Sequence, residues 1–129
     1  MGRFNTEDIV KNMVGLTFNK VEQDGDDLVF IGDRKFRFYH EQDCCETFQL
    51  VEMEGDLSYL EGSPLVLAEE ISSEETPELK EKAGCLDYSY TWTFYKFATA
   101  KGYVTVRWVG DSNGYYSEEV DVVEVTPFR

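Results

Sequence analysis

Tyr90-Thr91-Trp92-Thr93-Phe94-Tyr95-Lys96-Phe97-Ala98, then Thr99-Ala100-Lys101-Gly102, then Tyr103-Val104-Thr105-Val106-Arg107-Trp108-Val109 is the stretch that decides the fold. Two runs rich in β-branched and aromatic residues flank a short connection that ends in Gly, which predicts a β-hairpin. Side chains alternate across a strand, so Val104, Val106 and Trp108 share one face of the second run and Tyr103, Thr105 and Arg107 the other. Tyr90, Trp92, Phe94 and Lys96 share one face of the first run. Pairing of the two strands makes these sets neighbours.

Upstream, residues 16–21, 27–31 and 35–40 read as three strands of a meander, separated by the turn-forming Gln23-Asp24-Gly25-Asp26 and Gly32-Asp33. Before them, Ile9, Val10, Met13 and Val14 fall at helical spacing over residues 6–14. Asn5 or Thr6 is available as N-cap, Glu7 and Asp8 fall in the first turn, and Gly15 ends the helix. Residues 47–52 read as a further strand, 55–60 as one helical turn, and 65–68 as an apolar run restarted by Gly62-Ser63-Pro64. Residues 69–81 hold six glutamates, two serines and Pro77 and are read as a solvated arm, which gives a flexible acidic loop at 72–84. Downstream of the hairpin, Gly110-Asp111-Ser112-Asn113-Gly114 reads as a loop and residues 116–125 as a last strand. The expected fold is therefore α+β and β-dominated. It has a mostly antiparallel sheet, a short N-terminal helix and a strong C-terminal hairpin, in a single domain over residues 1–129.

The charge of the chain excludes some functions. Against 12 basic residues stand 26 acidic ones, a net charge of −14, so nonspecific binding to DNA, RNA or an anionic membrane is opposed by long-range repulsion. No stretch approaches the ~18 apolar residues that cross a bilayer, and the first residues lack the apolar core of a secretory signal. A cytoplasmic protein is expected. Cys44, Cys45 and Cys85 are an odd number and include an adjacent pair poorly placed to bridge with itself, which fits reduced thiols.

Four constellations bear on chemistry. His40, Asp43, Cys44, Cys45 and Cys85 superficially form a metal-ligand set, but there is no pair of cysteines at two- to four-residue spacing, so no metal is expected. Cys44 or Cys45 with His40 as base does not converge on a strand, and His40 is the sole histidine, so no catalytic residue is assigned. The aromatic and basic face of the hairpin is the third: flat rings to stack a base and a guanidinium to pair a phosphate are what a nucleotide requires. A bland reading makes the rings core and Arg107 an edge charge. The fourth is Asp111-Ser112-Asn113-Gly114-Tyr115-Tyr116-Ser117, where short polar side chains and an Asn-Gly turn can offer N–H groups to an anion; it too reads equally as an ordinary turn.

Taken in order, these motifs carry a resemblance: His40-Glu41-Gln42-Asp43-Cys44-Cys45-Glu46; Gly62-Ser63-Pro64 with Leu67-Ala68-Glu69-Glu70; Thr91 to Thr99 with Lys101-Gly102; Val106-Arg107-Trp108; and Ser112-Asn113-Gly114-Tyr115-Tyr116-Ser117-Glu118. Over residues 36–125 the chain resembles a small family of phage and prophage proteins that includes the type 1 Thoeris anti-defence proteins. The resemblance implies a sponge: a non-enzymatic protein in the cytoplasm of the infected bacterium. Such a protein binds a cyclic ADP-ribose isomer, glycocyclic ADP-ribose, made by Thoeris TIR enzymes, and keeps the effector silent without cleaving the signal. It also implies binding of CBASS cyclic trinucleotides at separate sites, homo-oligomers built from dimers, and no cofactor.

On this likeness Arg107 is the expected phosphate clamp, since family members hold an arginine there, and Phe94 and Trp92 are the stacking surfaces. Asn113, Ser112, Tyr115 and Ser117 contact ribose or phosphate, with Asp43 beside that loop. Of the cluster Arg34, Lys35 and Arg37, alternation separates Arg34 from the other two. Arg37 is the one taken as a candidate contact. The competing expectation is an acidic, protein-binding inhibitor of a host nucleic-acid or defence enzyme, acting through its negative surface and the acidic segment.

Overall fold

The computed structural model describes residues 6–40, 46–71, 77–84, 89–112 and 120–125. The hairpin organises it. Strands β6 (Ser89–Thr99) and β7 (Gly102–Ser112) pair in unbroken register from Ser89↔Ser112 to Thr99↔Gly102, around a connection of two residues rather than four. Flanking them are β5 (Leu67–Glu70) on β6 and β4 (Thr47–Glu54) on β7, giving the sheet β4-β7-β6-β5. The meander of β1 (Phe18–Asp24), β2 (Asp27–Gly32) and β3 (Lys35–Tyr39) takes β8 (Asp121–Val125) as its fourth strand, in the order β1-β2-β3-β8. Every pairing in both sheets is antiparallel. The fold class follows the sequence, but the strands divide between two sheets because both the meander and the hairpin carry an apolar face that needs covering.

Those faces meet. Phe18, Phe30, Phe36 and Phe38 from the first sheet and Tyr95, Phe97, Val104, Val106 and Trp108 from the second are buried in one cluster. Phe38 lies 5.3 Å from Phe97, 5.2 Å from Tyr95 and 6.0 Å from Trp108 by ring centroids, the last pair stacked, and Phe30 lies 5.0 Å from Phe97. Trp108 is wholly buried, and its indole N–H donates to the Asp26 carbonyl at 2.8 Å, tying the second sheet to the β1–β2 turn. A Trp in a core needs such a partner for its polar edge.

Helix α1 (Thr6–Met13) buries Val10 and Met13 and packs on β8 and β5, so it bridges the two sheets along one side. Residues 61–65 join β1 to the second sheet through Gly62 N–H to Phe18 C=O (2.8 Å) and Leu65 N–H to Leu16 C=O (2.9 Å). The turn predicted at 55–60 is a 3-10 helix, Leu57–Leu60, with the Asp56 side chain accepting from the Ser58 N–H.

Two expectations are corrected. Within the segment read as a flexible acidic loop, Pro77–Ala83 is a helix, α2, with Leu79 buried, while residues 72–76 lie outside the described residues. Pro77 at the first helical position, Glu78 in the first turn and Gly84 just past the end, with φ +84°, supply the start and stop signals, and Leu79 supplies the anchor. Gly110, Asp111 and Ser112, expected to open a loop, are instead the buried end of β7, and the rest of that expected loop lies outside the described residues. Among the described residues no helix is long and apolar enough to cross a membrane.

Candidate functional site

Because Tyr95 and Phe97 fill the core between the sheets, alternation turns Trp92, Phe94 and Lys96 to the outer face of the second sheet. On β7, Val104, Val106 and Trp108 point inward, which sends Tyr103, Thr105, Arg107 and Val109 outward. Arg107 is thus the register partner of Phe94, and Trp92 that of Val109. The Trp92 and Phe94 rings lie parallel, 5.9 Å apart with 4° between their planes. The Arg107 guanidinium sits 5.8 Å from the Phe94 centroid, and the Lys96 ammonium 4.7 Å from that of Tyr103. Trp92, Phe94 and Arg107 are therefore brought together on one face, but Phe94 is buried there and does not present the open stacking surface expected of it.

The surroundings of Arg107 were not visible in the sequence. β4 pairs with β7 so that Glu52 stands opposite Arg107 and Glu54 opposite Thr105, on the same outer face. Glu52 Oε1 lies 3.1 Å from Arg107 Nη1, and Glu54 Oε1 lies 3.7 Å from it. The Arg107 side chain is only 16% exposed, so this is a largely buried cation beside two carboxylates. Nη1 is buried and makes no hydrogen bond among the described residues, because Glu52 compensates its charge without lying along one of its N–H directions. A buried donor left in this way is costly.

Helix α2 lies over the β4 side of this face. Gln49 Nε2 donates to the Ala83 carbonyl at 2.9 Å, and Lys82 Nζ to Glu52 Oε2 at 2.7 Å. Glu52 consequently holds a cation on each oxygen. Phe94 (5% exposed), Val109 (0%) and Leu79 (5%) are buried yet lie outside the inter-sheet core, so the outer face carries a small covered layer of its own. Trp92, half-buried, is the more accessible of the two rings.

Arg37 is placed elsewhere. Its neighbours Phe36 and Phe38 fill the core, so Arg37 points out of the first sheet, on the side of the molecule opposite Arg107. It is held by Asp24 at 2.9 Å and Asp27 at 2.7 Å, and hydrogen bonds to these two carboxylates raise its pKa further. Arg34 is taken up by Glu124 through two hydrogen bonds of 2.7 and 2.8 Å. Within one copy of the chain Arg37 and Arg107 do not share a ligand.

Ser112 is also not presented as expected: it is fully buried at the end of β7. It lies five positions along the strand from Arg107, about 17 Å at ~3.3 Å per residue. Asp43, Asn113, Tyr115 and Ser117, like Cys44, Cys45 and Cys85, lie outside the described residues. The strand ends that flank 41–45 and 113–119 do lie together, since Tyr39 pairs with Asp121 and Thr47 with Asp111. A hydrogen bond of 2.8 Å between His40 Nε2 and Glu46 Oε2 joins the two sheets there, with side chains 1% and 0% exposed. The His40 ring stacks on Phe48, and the Thr47 hydroxyl donates to Asp111. Among the described residues no group of three His, Cys, Asp or Glu side chains is placed to hold a metal ion.

A cavity of about 230 Å³ lies away from this face, at the junction of α1 and β5, lined by Val10, Lys11, Ala68, Glu69, Glu70 and Tyr95. Sequence comparison shows that the chain belongs to a family described as a domain of unknown function, DUF7448, which matches residues 8–122. No curated protein and no solved structure shows significant similarity to the chain.

Proposed function

We propose that this DUF7448 protein is a non-catalytic sponge that takes up a cyclic ADP-ribose isomer, glycocyclic ADP-ribose. In this way it withholds the signal of a bacterial Thoeris system from its effector. The observation that carries the reading is the register pair of Phe94 and Arg107 with Trp92 alongside, all on the face turned away from the core. A pyrophosphate asks for a cation with unused donors, and the Arg107 Nη1 is such a donor. An adenine asks for a flat apolar surface, and Trp92 offers one beside the guanidinium. The resemblance over residues 36–125 supplies the identity of the ligand. It also extends the proposal to cyclic trinucleotides at separate sites, to oligomers built from dimers and to action in the cytoplasm of an infected bacterium.

No residue is assigned a catalytic role. Proton transfer needs a positioned acid or base beside the reacting group, and the carboxylates nearest Arg107 are engaged with cations. The test is to incubate the protein with glycocyclic ADP-ribose, remove it by filtration, and follow the ligand by mass spectrometry before and after heat denaturation. The proposal expects the ligand to leave the filtrate and return with unchanged mass. A hydrolysed or linearised product would make the protein an enzyme, and ligand that never leaves the filtrate would end the sponge reading.

A further inference from the structure

We propose that Glu52 is a built-in stand-in for the ligand's anion, and that Lys82 on α2 is a second phosphate-binding residue that closes over the ligand together with Arg107. This deepens the reading above and rests on it in one respect, that Arg107 meets an anion. Glu52 is held by Arg107 at 3.1 Å through Oε1 and by Lys82 at 2.7 Å through Oε2. Two oxygens of one phosphate reproduce that arrangement, with more charge than a carboxylate and more acceptor sites for the unsatisfied Nη1.

The two cations come from different elements. Arg107 is fixed in the middle of β7 and 16% exposed, whereas Lys82 rides on the short helix α2 and is 50% exposed. α2 is fastened to the sheet by Lys82–Glu52 and by Gln49 to the Ala83 carbonyl. An anion that displaces Glu52 from both cations therefore breaks one of these ties and remakes it through itself. Glu54, 3.7 Å from Arg107, keeps the guanidinium compensated while the exchange occurs. The chain thus holds its binding cations charge-compensated without ligand, which is how a strongly acidic protein can keep a buried arginine in place.

The probes are inorganic pyrophosphate and glycocyclic ADP-ribose, titrated calorimetrically into the intact protein and its Glu52→Gln and Lys82→Gln variants. Hydrogen exchange over residues 77–83 is the second readout. Removing the competing charge in Glu52→Gln should tighten pyrophosphate binding by about tenfold or more, and Lys82→Gln should weaken it by a similar factor. Without ligand, α2 should exchange faster in Glu52→Gln than in the parent, and pyrophosphate should slow it again. Lys82 is on the helix surface, so its variant keeps the inference testable even where Glu52→Gln does not fold. Unchanged pyrophosphate affinity in Lys82→Gln overturns the inference, as does Glu52→Gln binding no tighter than the parent. If glycocyclic ADP-ribose binds the parent and Lys82→Gln equally, the inference fails and the sponge reading stands. If only pyrophosphate binds, and more tightly in Glu52→Gln, the sponge reading fails and the anion seat stands.

Discussion

Replacing Trp108 by Phe tests whether the two sheets are organised around one side chain. Trp108 is fully buried, stacks on Phe38 at 6.0 Å, meets Tyr95 at 6.1 Å and donates to the Asp26 carbonyl at 2.8 Å. Phe keeps the six-membered ring but removes the pyrrole part and its N–H. The lost apolar contact and the small cavity left behind cost about 1–2 kcal/mol. The unpaired Asp26 carbonyl adds about 1 kcal/mol, at the low end because a turn residue can recover water. The sum, about 2–3 kcal/mol, is a large fraction of the ~5–15 kcal/mol typical of a domain and lowers Tm by roughly 6–15 °C at this chain length. Urea denaturation followed by far-UV circular dichroism measures the change. Acrylamide quenching adds a check, since removing the buried indole leaves only half-buried Trp92 to emit. A variant within about 0.5 kcal/mol of the parent would mean that neither the inter-sheet packing nor the tie to Asp26 is as described.

Gly55 has φ +101° and a Cβ there would run into the Tyr103 carbonyl oxygen, so Gly55→Ala combines backbone strain with a backbone clash and should cost about 2–6 kcal/mol by denaturation. Gly25, φ +64° with open space around it, is the control and should lose about 1–2 kcal/mol on substitution by Ala. Exchanging His40 for Phe removes one hydrogen-bond partner of the fully buried Glu46 and should destabilise by about 1–3 kcal/mol, whereas replacing both residues by apolar ones should recover most of the loss. A hydrogen bond from Arg34 holds Glu124 below the ordinary carboxylate range, and hydrogen bonds from Ser58 do the same for Asp56. Both carboxylates therefore contribute stability above the ordinary pKa of about 4 and lose it as pH falls through their lower folded values. Thermal melts should show a small acid-side loss that Glu124→Gln flattens.

The hairpin and the outward direction of Arg107 were legible because strict alternation over a long paired run leaves one assignment of faces. The N-terminal helix and the meander followed from local caps and turns in the same way. α2 was lost because six glutamates dominate its neighbourhood, although Pro77, Glu78, Leu79 and Gly84 together mark a short anchored helix. The Gly-Asp-Ser composition at the end of β7 reads as a loop, yet Asp111 is buried as an acceptor for Thr47, a partner 64 residues away. Partners at that range have no local signature. Glu52 and Glu54 had a weak one: spaced by two on a strand, they had to share a face. Which strand they would oppose was decided by the sheet order. The division of Arg37 from Arg107 is equally a matter of topology, since each alternates correctly within its own sheet and only the packing of the sheets puts them on opposite sides.

The most direct measurement is the affinity of glycocyclic ADP-ribose for the protein before and after Arg107→Ala, by calorimetry, with folding of the variant checked by circular dichroism. Loss of a largely buried charge-assisted pair should weaken binding by about 2–4 kcal/mol, roughly 30- to 1,000-fold. A folded variant that binds the nucleotide as tightly as the parent would remove the outer face of β6 and β7 from the binding site.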